Sequence, residues 1–165
     1  MIRNTVRALI IQNEMLLTIK KERPEVGVYY TLPGGAQETG ETLEQTLQRE
    51  CFEELGIDIL NSKLVCVREY ISKNHEYSFI MKEVHAVEFI YECNSNSTTS
   101  YFFSSQADVG QIGIEWLPIE GIKQAVSQSA ELSKPYKFPN TTNDFFKEYF
   151  IGQITEPYRS QIFES

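Results

Sequence analysis

Two periods of apolar residues divide the chain. From Thr5 to Gln12 nearly every position is apolar or β-branched, which predicts a strand. Asn13-Glu14 marks a turn, and Met15 to Ile19 predicts the returning strand of a hairpin. Val28 to Leu32 predicts a short strand, broken by Pro33-Gly34-Gly35. The period then lengthens. Leu43, Leu47, Cys51 and Leu55 recur every four residues, the buried stripe of a helix. Thr42 is a good N-cap, Gln45 completes a capping box, and Gly56 fits the stop after the last turn.

Downstream, Ile57 to Tyr70 alternates only loosely and predicts a strand with a bend. Asn74 marks a turn, and Val84 to Tyr91 predicts the clearest strand of the next stretch. Asn94 to Ser100 is wholly polar and predicts a surface loop. Ile112 to Leu117 predicts another strand, and Pro118 to Glu120 opens a helix reaching about Leu132. Lys134 to Ser165 then holds eight of the nineteen phenylalanines and tyrosines. Thr142 or Asn143 predicts the cap of an accessory helix with Phe145, Phe146, Tyr149 and Phe150 on one face, closed by Gly152 and Pro157. Such an aromatic face packs on the domain or forms a homodimer contact.

At 165 residues one domain is expected, with a core over 1–132 and an aromatic-rich extension over 133–165. The net charge of −8 lacks the basic footprint of a duplex nucleic-acid binder. The three cysteines, Cys51, Cys66 and Cys93, show no metal or redox spacing and imply reduced thiols in the cytoplasm. No signal-peptide core is evident at Met1 to Asn4. Ala8 to Ile11 is far too short an apolar run to span a bilayer, so no membrane association is expected.

Charge changes the picture most at the end of the predicted helix. Glu50, Glu53 and Glu54 crowd its C-terminal turns, where the helix dipole disfavours anions. Glu50 and Glu54 are also four residues apart, setting like charges side by side. On a helical wheel the three occupy one arc beside the apolar stripe, partly sheltered and able to converge. A bound cation is the simplest offset for that cost, and three clustered carboxylates suit a hard ion rather than zinc.

The spacing around these residues carries a family resemblance. Gly35, five residues, Glu41, seven residues, then Arg49-Glu50-Cys51-Phe52-Glu53-Glu54-Leu55-Gly56-Ile57 resembles the Nudix box, with every fixed residue matched. Cys51 stands where an aliphatic residue is usual, and is small and apolar enough to serve. The resemblance implies an α/β/α sandwich around a mixed β-sheet. It also implies hydrolysis of a nucleoside diphosphate linked to another moiety, with Mg²⁺ or Mn²⁺ as cofactor. Carried onto this chain, Glu50, Glu53 and Glu54 would be metal ligands, helped by the Gly34 carbonyl. Arg49 and Glu41 would orient those carboxylates, and Glu50 or Glu54 would be the general base. A further downstream acid would be Glu115 or Asp108.

Other positions offer weaker chemistry. Arg7, Lys20, Lys21 and Arg23 are candidate contacts to substrate phosphates, against solvated surface as the plain alternative. Tyr29 and Tyr30 are candidate stacking partners for a base, against core packing. His75 and His85 read as structural or surface residues. Region Ile71 to His75 lacks the resemblance's substrate markers, so a small nucleotide derivative is expected without its identity. The competing readings are a non-catalytic nucleotide sensor and an RNA 5′-end pyrophosphohydrolase.

Overall fold

A computed structural model describes residues 1–71, 84–95, 110–127, 136–152 and 158–159. The hairpin forms as its sequence demands: β1 (Ile2–Gln12) turns at Asn13 and Glu14, both with positive φ, into β2 (Met15–Arg23). The two strands pair only next to the turn, Ile11 with Leu16 and Gln12 with Met15. Beyond it they part. The earlier half of β1 pairs antiparallel with β4 (Gly34–Ala36), and along its other edge with β6 (His85–Ser95), in parallel. β2 instead takes β3 (Gly27–Thr31) on one side and β7 (Gln111–Pro118) on the other.

Two sheets thus diverge from one hairpin and leave a cleft between their walls. β5 (Ile59–Ile71) runs antiparallel to β6, and β8 (Tyr158–Arg159) adds in parallel to its outer edge. The bend expected in β5 is present as register shifts between Ile59 and Asn61 and between Leu64 and Cys66.

Helices cover both faces of this mixed sheet, the sandwich that the sequence implied. α1 (Leu43–Leu55) buries Leu47, Cys51 and Leu55 against Val6, Ala8 and Ile19. Full burial of each leucine is worth roughly 1.5–3 kcal/mol, which outweighs the strain of the acidic end. α2 (Ile119–Ser127) and α3 (Asn140–Phe146) pack on the opposite face around Leu9, Ile90 and Leu117. All three cysteines are buried free thiols.

The break at Pro33 is present, since β3 ends at Thr31, and Gly34–Ala36 then starts a separate strand, β4. Only glycine fits at Gly34: its φ is +149°, and a Cβ there would lie 1.9 Å from the Val6 carbonyl oxygen. The aromatic helix starts at Asn140 with Pro139 at its cap, ahead of Thr142 and Asn143, since proline fixes φ there and Thr141 and Thr142 are buried within the turn. Its ladder continues through a π-helical turn, Lys147–Ile151, which ends at Gly152. Phe145 and Tyr149 stack there at 5.4 Å. Asn94 and Ser95, expected in the surface loop, instead end β6, paired with Asn61 and Ile59 of β5. The rest of that loop, 96–100, and the expectations for Asn74, for the end of the second helix and for Pro157 lie outside the described residues.

Candidate active site

The acidic helix is fixed at both ends by its own sequence. Thr42 and Gln45 exchange the two hydrogen bonds of a capping box, and Gly56 closes the helix in a left-handed conformation. That framing places Glu54 against β4, where it is buried and its Oε1 accepts from the Gly34 amide at 2.8 Å. Glu50 lies directly over Gly35. A Cβ on Gly35 would meet both carboxylate oxygens of Glu50, the nearer at 2.4 Å, so the glycine is a cradle for that side chain. Burial pushes the Glu50 carboxyl above its ordinary value, although Arg49 pulls the other way.

Arg49 is the hub of the cluster. Its Nε and Nη2 donate to Glu41 at 2.7 and 3.0 Å, the two-pronged geometry of a strong guanidinium–carboxylate pair. Its Nη1 reaches Glu50 at 2.9 Å and Glu53 at 3.4 Å, and Nη2 also donates to the Ala36 carbonyl. The Arg49 bond, then the Glu38 amide, hold the Glu41 carboxyl down to about 2. One guanidinium therefore ties the loop, β4 and the helix acids together.

The donor chemistry fits a hard divalent cation: sheltered carboxylate oxygens of Glu50, Glu53 and Glu54, with the Gly35 cradle leaving room at Glu50. In this arrangement Arg49 engages one oxygen each of Glu50 and Glu53, and the Gly34 amide engages one oxygen of Glu54. Among the described residues no three acidic, histidine or cysteine side chains converge on one point.

The cleft between the diverging sheets has the opposite character. Arg3 and Arg7 of β1 and Arg68 of β5 line one side, and Lys21 and Arg23 of β2 line the other. Glu88 is the one acid among the described lining residues. It is buried between two guanidiniums, 3.3 Å from Arg7 Nε and 2.6 Å from Arg68 Nη2. Burial alone would raise the Glu88 carboxyl, but Arg68 and Arg7 outweigh it and hold it low. Arg68 also donates to the Thr141 carbonyl and lies over the Phe145 ring at 5.7 Å, which brings α3 to the cleft with Pro139, Thr141 and Thr142 in its wall. Arg7 joins the two regions: it pairs across β1–β4 with Gly34, donates to the Leu32 carbonyl, and its charge reaches Glu50.

The sequence candidates divide accordingly. Glu41, Arg49, Glu50, Glu53, Glu54 and Gly34 come together, and Arg7 and Arg23 reach the adjoining cleft. Lys20 does not; Lys21 lines the cleft in its place, because strand alternation puts Lys21 on the same side of β2 as Arg23, opposite Tyr29 of β3, and turns Lys20 to the other face. Tyr30 is buried in the core, where its ring meets Tyr136 edge-on at 5.7 Å, and Tyr29 lines the cleft instead.

Glu115 does not join the helix acids. Its neighbours Ile114 and Trp116 pack on the α1 side, so Glu115 points to the other face and bonds the Tyr30 hydroxyl. Burial, then that bond, push the hydroxyl up to about 12. His85 opens β6, while His75 and Asp108 lie outside the described residues. Arg68, Glu88 and Thr141 escaped the sequence reading, which took Thr142 only for a helix cap, because nothing local marks them as cleft residues.

Comparison with known proteins agrees with this geometry. A NUDIX domain model matches residues 1–136, and the chain belongs to this family as a Nudix pyrophosphohydrolase. Nucleoside triphosphatase NudI of Enterobacter sp. (strain 638) is 28% identical over 126 residues, which are 73% of this chain and 89% of that protein. NAD-capped RNA hydrolase NudC of Haemophilus influenzae (strain PittEE) is 51% identical over 51 residues, but these span 30% of this chain and 19% of that protein. Among solved structures, a MutT NUDIX hydrolase from Burkholderia pseudomallei superposes with a TM-score of 0.57 at 27% identity, covering 73% of this chain and 85% of its own. No helix among the described residues is long and apolar enough to cross a membrane.

Proposed function

We propose that the protein hydrolyses the pyrophosphate bond of a nucleoside diphosphate linked to a further group, a nucleoside triphosphate being the leading case. Glu50, Glu53 and Glu54, with the Gly34 carbonyl, would hold Mg²⁺ or Mn²⁺. The observation that carries this reading is the junction at Arg7, where a basic cleft meets the acidic helix within a chain of net charge −8. A cation held there would offset phosphate charge and lower the pKa of a water. Glu50 or Glu54 is the carboxylate placed to take a proton from an attacking water. Arg49 and Glu41 keep the carboxylates aimed. Arg7 steadies the phosphates, and Lys21 and Arg23 draw the anionic substrate into the cleft. Pro139, Thr141 and Thr142 serve as an accessory wall to the cleft. Three buried free thiols support a reducing compartment, the cytoplasm.

The triphosphate reading is favoured by the NudI match, which extends over most of both chains. The short NudC match supports a second reading, an NAD-type dinucleotide or capped RNA end. Steady-state hydrolysis of nucleoside triphosphates, ADP-ribose, NAD and NAD-capped RNA, each with Mg²⁺ and with EDTA, separates the two. We expect Mg²⁺-dependent turnover of a triphosphate. Metal-independent turnover, or none across the set, would overturn the proposal.

A further inference from the structure

Two polar atoms in the cleft make no hydrogen bond among the described residues: the buried side-chain oxygens of Thr5 and Thr31. Thr5 as a whole is only 8% exposed. A buried hydroxyl without a partner forfeits its hydration and gains nothing in return, so native proteins keep few of them. Both of these line the same cleft, one from β1 and one from β3, on walls belonging to the two diverging sheets. Thr5 lies two residues from Arg7, toward Arg3, along β1. Tyr29, which accepts from Arg23 through its hydroxyl, lines the same space as Thr31. A valine at either position would fill the same volume without the cost.

We propose that the Thr5 and Thr31 hydroxyls recognise the nucleobase of the substrate, and so determine specificity. The inference rests on the cleft holding the nucleoside part while the acidic helix holds the pyrophosphate. A base suits the place: it is flat enough to enter between two sheets, it presents an aromatic face to Tyr29, and its edge offers both donors and acceptors. A hydroxyl can meet either kind, donating to a ring nitrogen or carbonyl and accepting from an amino group. Both oxygens are closed off from solvent, so the base reaches them by parting the walls between which they lie. Sites that hydrogen-bond a substrate edge discriminate strongly, because an analogue without that edge leaves the buried groups unpaired.

The test is binding of the full-length protein, in EDTA, to adenosine, guanosine, cytidine and uridine 5′-monophosphates and to ribose 5-phosphate, by calorimetry. Each is measured with wild type, Thr5→Val, Thr31→Val and the hydroxyl-retaining Thr31→Ser. Wild type should bind one monophosphate at least about tenfold more tightly than ribose 5-phosphate. Each valine variant should lose most of that preference, about tenfold in Kd, while ribose 5-phosphate binding stays within about twofold and the serine variant keeps the preference. The melting temperature of the nucleotide-free valine variants should hold or rise by about 2–4 °C, a sign opposite to that of a structural threonine. An unchanged preference, an equal loss for ribose 5-phosphate, or valine variants that melt lower or fail to fold would overturn the inference. If wild type binds none of the five, the placement of the nucleoside in the cleft fails first and takes the inference with it.

Discussion

The acidic helix and the basic cleft meet at Arg7, yet they are built in different ways. The helix cluster comes from one short stretch: Glu41, Arg49, Glu50, Glu53 and Glu54 lie within a single loop and helix, centred on one guanidinium. The cleft draws on β1, β2, β3, β5, β6 and α3, and is centred on one carboxylate, Glu88, between two guanidiniums. Each is the other's electrostatic inverse. Reactive groups carried on one rigid element keep their spacing through large changes elsewhere, whereas a pocket assembled from many elements can be reshaped piece by piece. That division suits a family in which bond cleavage is shared and substrates vary.

Breaking the helix cluster should have the largest effect. Glu54→Gln keeps an oxygen for the Gly34 amide, so the protein should stay folded by circular dichroism while turnover falls roughly 10²–10⁴-fold. Gly35→Ala comes next. Its Cβ would displace the Glu50 carboxylate, the far end of a flexible side chain, so turnover should fall about a hundredfold with little change in melting temperature. Normal turnover in Gly35→Ala would mean that the cradle is incidental.

On the cleft side, Glu88→Gln leaves two guanidiniums without their shared carboxylate and should cost about 3 kcal/mol in urea unfolding. The same substitution should change the pH profile. Glu88 and Glu41 are both held below their ordinary value when folded, so each contributes stability that is full above about 4.5 and is lost as pH falls through the depressed value, which for Glu41 is about 2. Acid unfolding of Glu88→Gln should therefore be shallower below about 4.5 than that of wild type. The smallest effect is expected at the cap: Thr42→Ala should cost about 1 kcal/mol and leave KM unchanged, since it touches only the helix start.

The same contrast explains what could be read from the sequence. The cap at Thr42, the stripe Leu47-Cys51-Leu55 and the stop at Gly56 are local patterns, and the acids that interrupt them stood out as an energetic oddity. The cleft has no such signature. Lys20 and Lys21 are equivalent in sequence, and only the phase of β2, which pairs Lys21 with Tyr29, decides which one faces the cleft. Tyr29 and Tyr30 are likewise adjacent, and the packing of Tyr136 and Phe138 claims the second for the core. Glu115 lies on the wrong side of β7 by a single position of alternation. Glu88 sits within an apolar strand, where its burial depends on Arg7 and Arg68, 81 and 20 residues away.

The division of labour between helix and cleft is tested most directly by the kcat and KM of two variants on the best triphosphate with Mg²⁺. Glu54→Gln should lower kcat by about a hundredfold or more and keep KM within about threefold, while Arg23→Gln should raise KM about tenfold and keep kcat within about threefold. A Glu54→Gln protein that turns over like wild type, or an Arg23→Gln protein altered in kcat alone, would contradict it.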